Sequence, residues 1–121
     1  MFYYASAFNQ DIGGWAVHSV KDMESMFLNA LAFDQDISAW SVDNVRDMNQ
    51  MFREASSFNQ DLGWCVDDGV IGNSAFSGSG CCSTSCGVAQ KDETGDCQIK
   101  RIYNRIKGIL NDCDDDDGAT E

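Results

Sequence analysis

The chain has 121 residues, no proline, six cysteines and 20 acidic against 8 basic residues, a formal net charge of −12. That length holds one compact domain or a short array of repeats, not two independent cores. The charge argues against a nucleic-acid partner, which needs clustered Lys and Arg, and no apolar run approaches the roughly 20 residues of a membrane-spanning helix.

In chain order, the first element is a 25-residue unit. It opens with Met1-Phe2, Ala5, Phe8-Asn9-Gln10-Asp11-Ile12 and Trp15. Met26-Phe27, Ala30, Phe33-Asp34-Gln35-Asp36-Ile37 and Trp40 repeat it, and Met51-Phe52, Ala55, Phe58-Asn59-Gln60-Asp61-Leu62 and Trp64 repeat it again. Self-similarity at a fixed period signals a repeat architecture. Met23, Met26, Phe27, Ala30 and Phe33 fall at helical spacing, as do Met48, Met51, Phe52, Ala55 and Phe58. That spacing predicts a helix with one apolar stripe in each unit. Asp22 and Asp47 precede the stripes as N-caps, and Asp47 with Gln50 resembles a capping box. Ile12-x-x-Trp15-x-Val17 and Ile37-x-x-Trp40-x-Val42 alternate as a short strand does. One helix and one strand cannot bury their own apolar face. Stacked copies can, with parallel strands about 4.8 Å apart.

The string Met-Phe-x-x-Ala-x-x-Phe-Asn-Gln-Asp-Ile-x-x-Trp-x-Val resembles the BspA-type leucine-rich repeat, also known as the DUF285 repeat, over residues 1 to about 76. The expected fold is an α/β, leucine-rich-repeat-like solenoid over residues 1–76, with parallel short strands and one helix per repeat. The resemblance implies a surface or secreted protein that binds proteins or mediates adhesion. It assigns no catalytic residue and no cofactor.

The third unit degenerates. Trp64 arrives one residue early, Cys65 follows it, and Val70-Ile71-Gly72-Asn73 only echoes Val45-Arg46-Asp47-Met48. Terminal capping repeats read this way. At the other end Met1, Phe2 and Tyr3 begin in mid-repeat. They are expected either to follow further sequence, which would also account for the lack of a visible signal peptide, or to dock against a partner.

Residues 77–113 form the next region, a cysteine-rich cap. Cys65, Cys81, Cys82, Cys86, Cys97 and Cys113 lie near Gly and Ser and far from the lone His18, which favours disulfides in an oxidising compartment over a zinc site. Six cysteines allow 15 pairings. A helix near 98–110 is expected, with Ile99, Ile102, Tyr103, Ile106 and Leu110 on one side. At about 20 Å it holds Cys97 and Cys113 too far apart to pair with each other. Each should therefore staple the tail to the 65–86 region. Residues 114–121 read as an acidic tail. Asp115-x-Asp117-Gly118 offers a weak calcium motif without a terminal Glu.

The outward positions of the expected strand face are Ala16, His18, Ser41 and Asp43, small and polar, where a repeat protein would bind a partner. Asp11, Asp36 and Asp61 recur at one position. They read either as a cation ladder or, the favoured alternative, as bonding backbone N–H groups in turns. His18 has no evident base or nucleophile partner, and no phosphate loop, zincin motif or Gly-x-Ser-x-Gly is present. The expected function is a non-catalytic extracellular or cell-surface recognition module. The alternative is a structural subunit that docks through its N-terminal end.

Overall fold

The computed structural model describes residues 2–91, 94, 95 and 97. It corrects the expected architecture. No α-helix occurs among the described residues, and their one helical segment is a 3-10 stretch, Cys82–Gly87, kinked where Ser85 and Cys86 take φ of 55° and 50°. Strand is equally scarce. β1 (Cys65–Val66) pairs in parallel with β2 (Ala89–Gln90), Cys65 opposite Ala89 and Val66 opposite Gln90. Single parallel bridges join Asp22 to Asp47 and Asp47 to Ile71. A leucine-rich-repeat-like solenoid with one helix per repeat is therefore not what this chain forms.

What forms is a stack of tight turns. The Met26 N–H bonds the Met23 carbonyl, Ala30 bonds Phe27, and Phe33 bonds Ala30. In the first two turns the third residue is left-handed, Ser25 and Asn29 both at φ 58°, as in type II turns. Gln50 and Glu54 repeat this at 58° and 60°. A left-handed residue every fourth position ends any helix, because the N–H groups no longer point along one axis. They point to the next layer instead. Met23, Ser25, Phe27 and Asn29 donate to the carbonyls of Asp47, Asn49, Met51 and Arg53 at 2.8–2.9 Å, and Met48, Gln50, Phe52 and Glu54 donate onward to Ile71, Asn73, Ala75 and Ser77. These bonds satisfy the donors a helix would have used internally. The apolar spacing misleads because a turn closed between i and i+3 brings both residues to one side, as a helix does. Met23, Phe27, Ala30 and Phe33 are indeed at most 2% exposed.

The expected strands at Ile12–Val17 and Ile37–Val42 are turns too. Trp15 N–H bonds Ile12 O at 3.1 Å and Trp40 N–H bonds Ile37 O at 3.0 Å.

Two columns of phenylalanine run through the layers. Phe2, Phe27, Phe52 and Phe76 stack with ring centroids 5.6, 5.3 and 5.5 Å apart. Phe8, Phe33 and Phe58 stack at 5.8 and 5.7 Å. Within a layer the columns touch, Phe27 to Phe33 and Phe52 to Phe58 both at 4.3 Å. Stacked ring pairs contribute roughly 0.5–1.5 kcal/mol each beyond their buried area. A polar column runs alongside. Asn9 Oδ1 accepts from Asp34 N–H and Gln35 Nε2, both at 2.9 Å. Asp34 Oδ1 accepts from Asn59 N–H at 2.9 Å and Gln60 Nε2 at 2.8 Å.

The lower end of the stack is closed by disulfides. Cys65 bonds Cys97, Cys81 bonds Cys86, and Cys82 is disulfide-bonded as well. Gly87 lies at the join. Its φ is +77°, and a Cβ there would run into the Asp61 carboxylate and come within 3.1 Å of Leu62 N, whose N–H bonds Cys86 O at 2.7 Å. Gly87→Ala should therefore cost about 1–3 kcal/mol, read as a lower urea midpoint with unchanged slope. The expected helix near 98–110, Cys113 and the acidic tail with Asp115 and Asp117 lie outside the described residues, as does Met1. No helix among the described residues is long and apolar enough to cross a membrane.

Candidate functional site

The turns leave one edge of the stack lined by short, exposed side chains. Val17 and Val42 point inward at 7% and 5% exposure. Their neighbours Ala16, His18, Ser41 and Asp43 are exposed. The layers are locked in register here. The His18 carbonyl accepts from Asn44 Nδ2 at 2.6 Å, and Arg46 N–H bonds the Lys21 carbonyl at 2.7 Å. Equivalent residues of successive units are thus held one layer apart.

At the upper end, Phe2 belongs to the core. It stacks on Phe8 at 4.1 Å and on Phe27 at 5.6 Å. Tyr3 and Tyr4 stand out at 58% and 64% exposure. The layer formed by residues 12–26 carries a groove of about 390 Å³ lined by Trp15, Val17, Val20, Asp22, Met23 and Met26. Its size follows from position in the stack. Trp15 and Trp40 are equivalent residues, yet Trp15 is 45% exposed and Trp40 only 4%.

The tryptophans also separate by hydrogen bonding. Trp40 Nε1 donates to Ile12 O at 3.0 Å, one layer up. Trp64 stacks on Trp40 at 6.4 Å, but its Nε1 is buried without a partner. Trp64 follows Leu62 after one residue, where Trp40 follows Ile37 after two. A buried unpaired donor costs about 1–3 kcal/mol. Trp40→Phe should therefore destabilise more than Trp64→Phe by about 1–2 kcal/mol, a difference that parallel urea titrations would show.

The repeated aspartates mostly serve the turns. Asp11 Oδ1 accepts from Gly13 N–H and Asp36 Oδ1 from Ser38 N–H, both at 2.9 Å. The Ser38 hydroxyl and then its backbone N–H hold the Asp36 carboxyl below the usual range. Asp22 and Asp47 act likewise, accepting from Glu24 N–H and Asn49 N–H at 2.9 Å. They cap turns, not helices. Stacking also brings Asp22, Glu24 and Asp47 together, with carboxylate oxygens within 4.8 Å of one another. Such oxygens suit a hard cation, though exposed carboxylates gather in this way without one as well. Reading the two aspartates as caps of separate helices hid this group. The signal was their 25-residue spacing, which places them in adjacent layers.

Two of the expected disulfides, Cys65–Cys97 and Cys81–Cys86, are present among the described residues, and the expected staple from Cys113 lies outside them. Cys97 is stapled back to Cys65, and no described cysteine keeps a free thiol for zinc.

No curated protein and no solved structure matches the chain. The family profile described as "Mycoplasma protein of unknown function, DUF285" matches residues 1–84, more than two thirds of the chain. With that span covered, the chain belongs to the DUF285 family.

Proposed function

We propose that this chain is a non-catalytic recognition module of an extracellular or cell-surface protein, and that its exposed edge is the binding face. The observation that carries the reading is the interlayer register at that edge. Ala16 and Ser41, and likewise His18 and Asp43, are displayed one layer apart, held in register by Asn44 Nδ2 on the His18 carbonyl and Arg46 N–H on the Lys21 carbonyl. Such an array presents a partner with fixed chemistry at little ordering cost. The disulfides support a location outside the reducing cytosol.

Two measurements on source cells test this. A membrane-impermeant amine label should modify the exposed Lys21 on intact cells. Labelling only after lysis would end the surface reading. Photo-crosslinkers at Ala16 and Ser41 should capture a partner protein that a crosslinker at Ser57 does not. Equal capture from all three would remove the edge as the site.

A further inference from the structure

We infer that the Asp68–Gly69 step is a modification site, at which Asp68 isomerises to isoaspartate through a succinimide and so loosens the β1–β2 pair. The inference goes beyond the proposed binding role and uses none of the residues assigned to the binding face. It starts from a glycine that the fold does not require. Gly63, Gly78, Gly87 and Gly95 hold a positive φ, and a Cβ on Gly13 or Gly80 would come within 2.8 Å of a carbonyl oxygen. At Gly69 the φ is not positive, and a Cβ would meet nothing within 4 Å. What glycine does change here is the chemistry of the preceding aspartate. A following residue without a Cβ lets its nitrogen reach the Asp carboxyl carbon with the least crowding.

The fold leaves this step open. Asp68 and Gly69 are both exposed, at the corner of a turn closed by Val70 N–H on the Asp67 carbonyl at 3.2 Å. Among the described residues, no group bonds the Asp68 carboxylate and none accepts the Gly69 N–H. The other aspartates differ. Asp11, Asp22, Asp36 and Asp47 each accept the N–H two residues on. Asp34 accepts from Asn59 and Gln60, and Asp67 pairs with Lys91 at 3.2 Å and Arg46 at 3.9 Å. The step after Asp61 is closed from the other side, because Leu62 N–H bonds Cys86 O at 2.7 Å. Asp43 is followed by Asn44, whose side chain is fixed on the His18 carbonyl.

The chemistry balances with water alone. The Gly69 nitrogen loses its proton and bonds Asp68 Cγ, and one water leaves with the displaced carboxyl oxygen. Water then opens the ring at the former Asp68 carbonyl carbon, breaking the bond from that carbon to the Gly69 nitrogen. One water is released and one taken up, nothing is oxidised or reduced, and the main chain now runs through Cγ with an extra methylene. The Asp68 carbonyl oxygen is the acceptor for Gln90 Nε2 at 3.0 Å, and Gln90 is buried in β2. After isomerisation that oxygen belongs to a free carboxylate, which draws water. The buried amide loses its main-chain acceptor, which is costly. β2 has only two residues and pairs with β1 alone, so little else holds it.

The test incubates the full chain at neutral pH in water carrying heavy oxygen. The proteolytic peptide containing Asp68 should split into two chromatographic species of equal sequence, the new one carrying heavy oxygen. Peptides containing Asp11, Asp36 and Asp43 should stay unchanged. The rate at Asp68 should lie within about tenfold of that in a free peptide of residues 66–72, because the fold does not hold the step. Gly69→Ala, which the open space and the φ accommodate, should slow it at least about tenfold. Asp68→Glu, whose longer side chain does not close the same ring, should stop it. The isolated isoaspartate form should have a lower urea midpoint than fresh protein. Gln90→Leu protein has no amide to strand, so it should lose less on isomerisation. No isomer at Asp68, a rate further below that of the free peptide, an equal rate at Asp43 or an unslowed Gly69→Ala variant overturns the site. An unchanged urea midpoint, or an equal loss in Gln90→Leu protein, overturns its effect on the strand pair.

Discussion

Phe52→Ala should remove about 3–5 kcal/mol, a large share of this protein's stability. Phe52 is fully buried and touches three rings, Phe27 above, Phe76 below and Phe58 within its layer, at 5.3, 5.5 and 4.3 Å. Truncating a buried Phe to Ala costs about 3–5 kcal/mol, as lost transfer energy plus the cavity left behind. Domains of this size are stable by only about 5–15 kcal/mol. The cavity cannot collapse easily, because the backbone on either side is tied by the Phe27 N–H bond to Met51 O and the Phe52 N–H bond to Ala75 O. Phe2→Ala is the comparison. Phe2 is only half-buried in the top layer, so its loss should cost roughly 1–2 kcal/mol. Phe52→Leu keeps apolar volume and gives up the ring stack, so it should fall between them. Urea titrations of the three variants measure the order. A Phe52→Ala cost no larger than that of Phe2→Ala would mean that the phenylalanine columns are not the core.

The inside and outside of the stack were legible in the sequence. The Met, Phe and Ala positions that recur every 25 residues are the buried ones, and their outward neighbours Ala16, His18, Ser41 and Asp43 are exposed. The backbone path between them was not. Steps of three residues serve a helix and a chain of turns alike, and the residues that decide between them gave little sign. Ser25, Gln50 and Glu54 take positive φ, yet Gln and Glu are good helix formers. Asn29, and Gly78 at the corresponding place in the shorter third unit, are the residues whose chemistry favours the left-handed position. Packing between layers overrides local preference at the others. Each such residue frees an N–H to bond the adjacent layer, which no reading of one segment alone can weigh.

The candidate sites divide along the same line. A residue's direction, in or out, follows from pattern. Its neighbours depend on where its layer lies in the stack. Trp15 and Trp40 hold the same position in the repeat, and only the structure shows one covered and the other bare. Asp22 and Asp47 likewise read as separate caps until stacking makes them neighbours with Glu24. The cysteine pairing follows the same logic. That the cysteines pair could be read from composition, whereas the partners could not be chosen among 15 pairings.

Of the two described disulfides, Cys65–Cys97 should give the larger loss when opened. The two cysteines are separated by 32 residues, against 5 for Cys81 and Cys86. Loop-closure entropy puts the longer staple at about 3–4 kcal/mol and the shorter at about 2 kcal/mol. Location adds to the difference. Cys65 lies in β1, opposite Ala89 of β2, so its bond to Cys97 closes a loop that contains this strand pair. Access favours the same bond. Cys65 and Cys97 are half-buried, whereas Cys81 and Cys86 are 6% and 0% exposed. Mild reductant followed by alkylation should therefore label Cys65 and Cys97 first, with mass spectrometry identifying the sites. The Cys65→Ser/Cys97→Ser variant should melt roughly 10 °C lower or more, and the Cys81→Ser/Cys86→Ser variant should lose less. The reverse order would show that the stack is held at its lower end by the 81–86 loop. If the expected order holds, protein made in a reducing cytosol, with every disulfide open, should melt below the Cys65→Ser/Cys97→Ser variant, and reoxidation should restore the difference. That restoration would tie the stability of the fold to the oxidising compartment in which its proposed recognition role operates.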